Sequence, residues 1–152
     1  MKTDIKKLAS FFACAIWADE KFDETQREVV DDIAEALEID PKDLSVALYA
    51  AIADVNSMDE EQLNQYLIEA AVDIDEDEAL IIFECAIDLV LADKVLMKVE
   101  VNNLLTMAEV LGIETEDAVL MLVDMVKENP HIKIDMQNDV DSEEPAKSEE
   151  NE

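Results

Sequence analysis

The sequence contains very little glycine, proline, histidine or positive charge. Its 152 residues include one glycine, three prolines and one histidine, and 40 acidic residues outnumber 11 basic ones, for a formal net charge of −29. A single glycine, Gly112, excludes a P-loop and a dinucleotide-binding fingerprint, because both need several glycines close to a phosphate. A single histidine, His131, excludes a histidine-rich zinc site.

The shortage of positive charge restricts the possible partners. Nucleic-acid backbones and anionic membrane surfaces are bound through lysine and arginine, so a chain of this charge repels both. The most apolar run, residues 79–92, is interrupted by Glu84 and Asp88 and is shorter than the ~20 apolar residues that span a bilayer. We therefore expect no nucleic-acid partner and no direct membrane insertion. Because Asp4 is followed by no continuous apolar leader segment, we also expect a cytoplasmic protein.

The two cysteines, Cys14 and Cys85, lie far apart in the sequence and each sits in an apolar stretch. Free cysteine packs as a small hydrophobic residue, which predicts two buried, reduced thiols. The alternative is a disulfide formed in an exporting compartment.

Half of the residues are hydrophobic, which separates this chain from disordered acidic sequences. The apolar residues recur with helical spacing almost throughout, and no strand-like alternation of any length interrupts them. The sequence predicts an all-α protein, a single bundle of about seven helices in one domain spanning residues 1–128. The fifth helix is the most apolar, and we expect it near the centre of the bundle.

Capping residues predict where several helices begin and where one ends. Helix three is expected to begin with Asp40 before Pro41, and helix four with Ser57 paired with Glu60. Helix five is expected to begin with the acidic run from Asp75, and helix seven with Thr115. Gly112 is expected to end helix six.

The last segment, residues 129–152, is rich in acids and poor in hydrophobic residues. Such a composition is typical of a disordered acidic tail. Within it, residues 131–134 (His-Ile-Lys-Ile) are compatible with a short extended piece that docks on the bundle.

An internal repeat emerges when the chain is shifted by 74 residues. Residues 18–52 then align without gaps with residues 92–126. The two segments share an Ala-Asp pair before each loop and a Leu-x-Ile pattern after each helix, which helical periodicity alone does not explain. We interpret them as two copies, about residues 11–52 and 85–126, of a helix–acidic loop–helix–turn–helix unit packed about a pseudo-two-fold axis.

The second copy carries the more recognisable motif. Ala92-Asp93 opens a short loop, Glu100 follows seven residues after the aspartate, and Leu111-Gly112-Ile113 closes the next helix. Over about residues 5–128 this pattern resembles the TerB-like family of tellurite-resistance proteins. The first copy has Gln26 at the acidic position, and both copies lack the glycine that usually follows the aspartate in that family.

The resemblance implies an all-helical bundle with internal pseudo-symmetry and no enzymatic activity. It also implies a link to bacterial resistance against tellurite and other chemical stress. The acidic positions of the family have been suspected of binding metal.

Four acidic residues of the two loops are candidate metal ligands: Asp19, Asp23, Asp93 and Glu100. A hard divalent cation such as Ca²⁺ or Mg²⁺ needs several oxygen ligands, and an aspartate ending one helix could converge with a glutamate early in the next. The alternative is that each aspartate accepts hydrogen bonds from backbone N–H groups of its own loop. The glutamate would then support the turn by a capping-type bond.

Two further groups of acids suggest other chemistry. Residues 73–84 place oxygens at the first, third, fifth and twelfth positions of a calcium-binding loop, but Glu78 stands where that loop needs glycine. A helix start is therefore the favoured interpretation. Glu84 and Asp88 are spaced as a carboxylate pair, but with no nucleophile, base or oxyanion hole nearby we interpret them as a solvated helix face and expect no enzyme.

The sequence leaves two functional hypotheses open. The first is a non-enzymatic, cytoplasmic TerB-like protein of a stress response that binds divalent cations through its acidic loops. The alternative is a metal-free adaptor whose acidic surface and tail recruit basic protein partners.

Overall fold

A computed structural model describes residues 2–17 and 22–136 of the chain. Within these ranges the chain forms seven α-helices and one pair of short strands. The elements are α1 (Ile5–Ala15), α2 (Glu24–Ala36), α3 (Pro41–Val55), α4 (Glu60–Ala70), α5 (Glu76–Val90), β1 (Val95–Met97), α6 (Lys98–Val110), α7 (Thr115–Lys127) and β2 (Lys133–Asp135). The predicted all-α bundle is confirmed. None of the helices described here has both the length and the apolar character needed to cross a membrane.

Two helices, α1 and α5, form the centre of the bundle. Every residue from Leu8 to Ile16 is buried, and α5 buries Ile82, Phe83 and Ile87 completely. Helix α1 packs against α3, α4, α5 and α6, while α5 also contacts α2 and α7. A helix that is apolar on all sides is stable only when other helices surround it. The central position predicted for α5 is therefore shared with α1.

The starts of α3 and α5 agree with the predicted capping signals. Asp40 precedes α3, and its side chain accepts a hydrogen bond from the Lys42 N–H at 2.9 Å. Pro41 is the first helical residue, where its missing N–H leaves no bond unmade. Helix α5 begins directly after Asp75.

The predicted caps of α4 and α7 are wrong by one or two residues. Helix α4 begins after Asp59, whose Oδ1 accepts from the Gln62 N–H at 2.8 Å while Gln62 Oε1 accepts from the Asp59 N–H at 3.0 Å. This pair forms the capping box that the sequence had suggested for Ser57 and Glu60. Thr115 is the first residue inside α7, and the residue before it makes no side-chain capping bond.

The helix boundaries of the two proposed repeats match at the 74-residue shift. Helix α6 spans the residues that correspond to α2, and α7 begins at the residue that corresponds to the start of α3. These matches support the predicted repeat. The pseudo-two-fold arrangement of the two units stays a prediction.

The turns that end α2 and α6 also correspond. The Ile39 N–H donates to the Ala34 carbonyl at 2.8 Å, and the Ile113 N–H donates to the Ala108 carbonyl at 2.9 Å. Just before each of these isoleucines a residue adopts the left-handed conformation, namely Glu38 with φ +60° and Gly112 with φ +79°. Both helices therefore end in the same left-handed turn, which confirms Gly112 as the stop signal of α6.

After α7 the chain returns to the loop between α5 and α6. Strand β2 runs parallel to β1, with Ile134 opposite Leu96, and Ile132 packs against the core. The segment expected to dock, residues 131–134, overlaps this strand. Residues 137–152 of the predicted acidic tail lie outside the described residues, so the tail and its boundary with the helical domain stay predictions.

Candidate functional site

The second acidic loop joins α5 to α6 and is organised by its own backbone. Residues Leu91–Asp93 form a short 3-10 turn, and Lys94 then takes a left-handed φ of +66°. Asp93 Oδ1 accepts a hydrogen bond from the Val95 N–H at 3.0 Å. The exposed aspartate thus closes an Asx turn, in which a side chain replaces a backbone acceptor.

Glu100 follows this loop and is only 1% exposed. It is the third residue of α6, and its Oε1 accepts a hydrogen bond from the Met97 N–H at 2.9 Å. An N–H just before a helix has no acceptor within that helix, so the carboxylate supplies one. This contact is the capping-type bond given above as the alternative to metal binding.

In the first unit, Asp23 and Gln26 at the start of α2 stand at the positions of Met97 and Glu100. Asp23 Oδ1 accepts from the Gln26 N–H at 3.0 Å and from the Thr25 hydroxyl at 2.6 Å. Gln26 Oε1 accepts from the Asp23 N–H at 3.2 Å, and Gln26 is 2% exposed. Gln26 therefore occupies the same buried capping position as Glu100. Asp19, the fourth predicted ligand, lies outside the described residues.

The described members of the predicted metal set are arranged as caps. Asp23, Asp93 and Glu100 each place a carboxylate oxygen against a backbone N–H of the adjoining turn. In residues 2–17 and 22–136, no three His, Cys, Asp or Glu side chains come close enough together to hold a metal ion. Calcium takes roughly six to eight oxygen ligands, which these three residues do not assemble. The four-residue metal site, including Asp19, stays a prediction.

The calcium-loop spacing of residues 73–84 does not form a loop. Helix α5 starts at Glu76, so Asp77 and Glu84 lie on helical backbone. Only Asp73 takes a left-handed conformation, with φ +67°. The favoured interpretation of this run as an acidic helix start is confirmed, because its acids stand in the first turn, near the positive end of the helix dipole.

Glu84 and Asp88 are both exposed on α5, as expected for a solvated face. Partial burial raises the pKa of Asp88, and the carboxylates of Glu84 and Glu128 raise it further. Burial raises the pKa of the Cys85 thiol, which lies between them in sequence, to about 12. Because the thiolate is the reactive form, Cys85 stays an inert thiol at neutral pH.

The other cysteine has the same character. Cys14 is 1% exposed, and burial raises the pKa of its thiol to about 12. Both cysteines are free, as predicted. His131 is exposed in the turn that follows α7. These positions offer no activated nucleophile.

A large cleft opens between α4 and α6, with a volume of about 870 Å³. Its apolar lining comes from Leu63 and Leu67 of α4 and Leu105 of α6, and the buried Cys14 of α1 also contributes. The cleft is thus built on the core but remains open to solvent. Its lining residues come from helices that lie far apart in the sequence, and no local motif indicates it.

The rest of the cleft lining is polar or acidic. Amide and hydroxyl groups come from Asn64, Asn103 and Thr106, among others, and carboxylates come from Glu60, Glu61 and Glu109. The side-chain nitrogen Nδ2 of Asn103 is buried and has no hydrogen-bond partner among the residues described. The signal available in the sequence was the pair Asn102-Asn103, which interrupts the apolar pattern of α6.

Comparison with known proteins reveals no matching family model, no matching curated protein and no matching solved structure. The resemblance to the TerB-like family therefore stays an interpretation of the loop motifs.

Proposed function

We propose that this chain is a non-enzymatic, TerB-like interaction module whose acidic surface captures a basic segment of a partner protein. One observation carries the proposal: the described helices display carboxylates with little positive charge among them. The first turns of α2, α3, α4, α5 and α7 each contain one to three acids at the surface, and Lys127 of α7 is the one basic residue in the last turn of any described helix. A surface field of one sign attracts partners of the other sign and speeds their encounter.

Two features of the candidate site support binding rather than catalysis. The thiols are held in their protonated form by burial, and the carboxylates of the second loop are used as acceptors for backbone N–H groups. On the TerB-like resemblance, we place this module in a cytoplasmic response to tellurite or related chemical stress. The acidic tail, residues 129–152, extends the same negative field.

The proposal is tested by titrating the full chain with hexalysine and, separately, with hexaglutamate in a calorimeter at low ionic strength. Hexalysine should bind saturably, and its affinity should fall steeply as salt is added, because screening weakens attraction between exposed charges. Hexaglutamate should not bind. Absence of saturable hexalysine binding, or an affinity independent of salt, would rule out the proposed function.

The contribution of the tail can be measured in the same assay without shortening the chain. A full-length variant would carry five glutamate-to-glutamine changes, at Glu143, Glu144, Glu149, Glu150 and Glu152. We expect weaker hexalysine binding by this variant. An unchanged affinity would remove the tail from the proposal and assign capture to the helical domain alone.

A further inference from the structure

We propose that the cleft between α4 and α6 is the docking site for the basic segment, and that it binds a peptide through both a backbone carbonyl and lysine or arginine side chains. This inference rests on the proposed function and adds the location of the site and the chemistry of the ligand. Three properties of the cleft support it: its size, a buried amide donor, and its charge.

The cleft has the dimensions of a ligand site. Its volume of about 870 Å³ falls within the range of roughly 300–1,000 Å³ that is common for such sites. Leu63, Leu67 and Leu105 provide an apolar lining. Lysine and arginine bury their methylene stems against such surfaces while their charged ends stay near water. The apolar lining is therefore compatible with a basic ligand.

Asn103 identifies the second chemical group that the ligand must carry. Asn103 belongs to the cleft lining, and its Nδ2 atom is covered by neighbouring atoms and has no acceptor among the described residues. A covered donor without an acceptor is unfavourable, so a rotation of the Asn103 side chain that brings Nδ2 to a ligand oxygen in the cleft forms a hydrogen bond without breaking another. A peptide offers one backbone carbonyl per residue. Polyamines and bare cations offer none.

The carboxylates around the cleft favour a positively charged ligand. Glu60 and Glu61 of α4 and Glu109 of α6 are exposed and line the cleft. Among the described lining residues there is no lysine, arginine or histidine. Anionic ligands are therefore repelled, and a basic side chain entering from solvent meets carboxylates contributed by both helices.

The test measures the fluorescence anisotropy of labelled hexalysine with the full chain at low ionic strength. A cleft variant carries Glu60→Gln and Glu109→Gln. A control variant with the same net charge carries Glu28→Gln and Glu35→Gln, two exposed positions on α2. The cleft variant should bind about tenfold more weakly than the control, because the lost charges face the ligand directly. All four side chains are exposed, so the fold should be retained, and thermal unfolding confirms this.

The variant Asn103→Asp distinguishes a hydrogen bond between Asn103 and a peptide carbonyl from general attraction between opposite charges. The substitution adds a negative charge. If attraction between opposite charges alone held hexalysine, the variant would bind it more tightly. Loss of the amide donor predicts weaker binding instead. Spermine, a polycation without carbonyl groups, should bind Asn103→Asp at least as well as the unsubstituted chain. Tighter hexalysine binding by Asn103→Asp would overturn the carbonyl contact.

The outcomes distinguish the cleft from the proposed function. Equal weakening by the cleft and control variants would overturn the cleft proposal while leaving capture of basic partners in place. Failure of the unsubstituted chain to bind hexalysine would overturn both. A selective loss in the cleft variant, together with weaker hexalysine binding by Asn103→Asp, would support the cleft as the peptide site.

Discussion

Gln26 and Glu100 accept the same hydrogen bond at the same point of two helices that lie 74 residues apart. Each is the third residue of its helix, and its Oε1 accepts from the backbone N–H just before the helix, at 3.2 Å from Asp23 and at 2.9 Å from Met97. Both side chains are almost completely buried. An amide and a carboxylate thus fill one structural position, so the turn does not require a charge there.

This correspondence predicts the effect of substituting Glu100. Glu100→Gln should leave the free energy of unfolding nearly unchanged, because glutamine can accept the same bond, as Gln26 does. Glu100→Ala removes the acceptor and should lower the free energy of unfolding by about 1 kcal/mol or more. Urea unfolding measures both, with Gln26→Ala as the matched variant of the first unit. If Glu100→Gln is as destabilising as Glu100→Ala, the charge itself is required.

The capping geometry also predicts the response to divalent cations. At matched ionic strength, Ca²⁺, Mg²⁺, Mn²⁺ and Zn²⁺ should raise the Tm by similar amounts relative to EDTA, because each relieves repulsion among the acids. Asp93→Asn and Glu100→Gln should respond as the unsubstituted chain does. A specific site filled at ~100 times its Kd would add about 2.7 kcal/mol, or roughly 5–10 °C. A shift of that size from one ion, abolished by Asp93→Asn, would establish a metal site instead.

The left-handed turns after α2 and α6 predict that substitutions at Gly112 and Glu38 change the stability of the fold in opposite directions. A side chain at Gly112 would meet no atom within 4 Å, so Gly112→Ala should lose only the conformational energy of a left-handed residue, about 1 kcal/mol. Glu38→Gly relieves the same strain and should stabilise the fold by about 0.5–1 kcal/mol. Glu35→Gly, inside α2, serves as the control and should destabilise it by about 1 kcal/mol. Chemical denaturation distinguishes these outcomes, and a loss at Glu38→Gly equal to that at Glu35→Gly would contradict the strain argument.

The sequence predicts helices well because the spacing of apolar residues reflects the helical backbone directly. It predicts boundaries less well where two local motifs overlap. Around the start of α4, Ser57 with Glu60 and Asp59 with Gln62 both fit a capping box. The structure uses the second pair, and Met58, just before it, packs against the core. Local chemistry permits both starts, so the choice between them depends on packing that the local sequence does not contain.

The cleft could not be predicted for a related reason. Asn103 and Asn64 belong to α6 and α4, and they line one cleft only because the two helices pack side by side against α1. The candidate loop residues were easier to find, since Asp93 and Glu100 are close in sequence. Their geometry still required the structure, because the same spacing suits a cap and a metal ligand.

The choice of capping box at α4 can be tested directly. Asp59→Ala removes the acceptor for the Gln62 N–H and should lower the free energy of unfolding by about 1 kcal/mol. Ser57→Ala, two residues earlier in an exposed turn, should have little effect. Thermal and urea unfolding of the two variants provide the comparison. A larger loss for Ser57→Ala would restore the helix start suggested by the sequence.

The raised pKa of Asp88 predicts that the stability of the fold depends on pH at this site. Its pKa is raised in the folded protein by partial burial and by the carboxylates of Glu84 and Glu128. The carboxyl group of Asp88 therefore binds a proton more tightly in the folded chain than in the unfolded chain. Protonated Asp88 stabilises the fold at low pH, and this stabilisation is lost as the pH rises through the folded-state pKa. Asp88→Asn should accordingly raise the Tm at neutral pH, with a gain that shrinks as the pH falls toward about 4, the ordinary range of an aspartate.

The control for Asp88→Asn is Asp54→Asn on α3, which changes the net charge equally at an exposed position. Both variants relieve the general repulsion of a chain with a charge of −29. Asp88 has the carboxylates of Glu84 and Glu128 close to it, whereas no other acid lies within four residues of Asp54 in the sequence. Melting curves recorded across this pH range should show the larger gain for Asp88→Asn at neutral pH. If the two variants raised the Tm equally at every pH, the increase would come from the change in net charge. That result would contradict a specific repulsion between Asp88 and its neighbouring carboxylates at the end of α5.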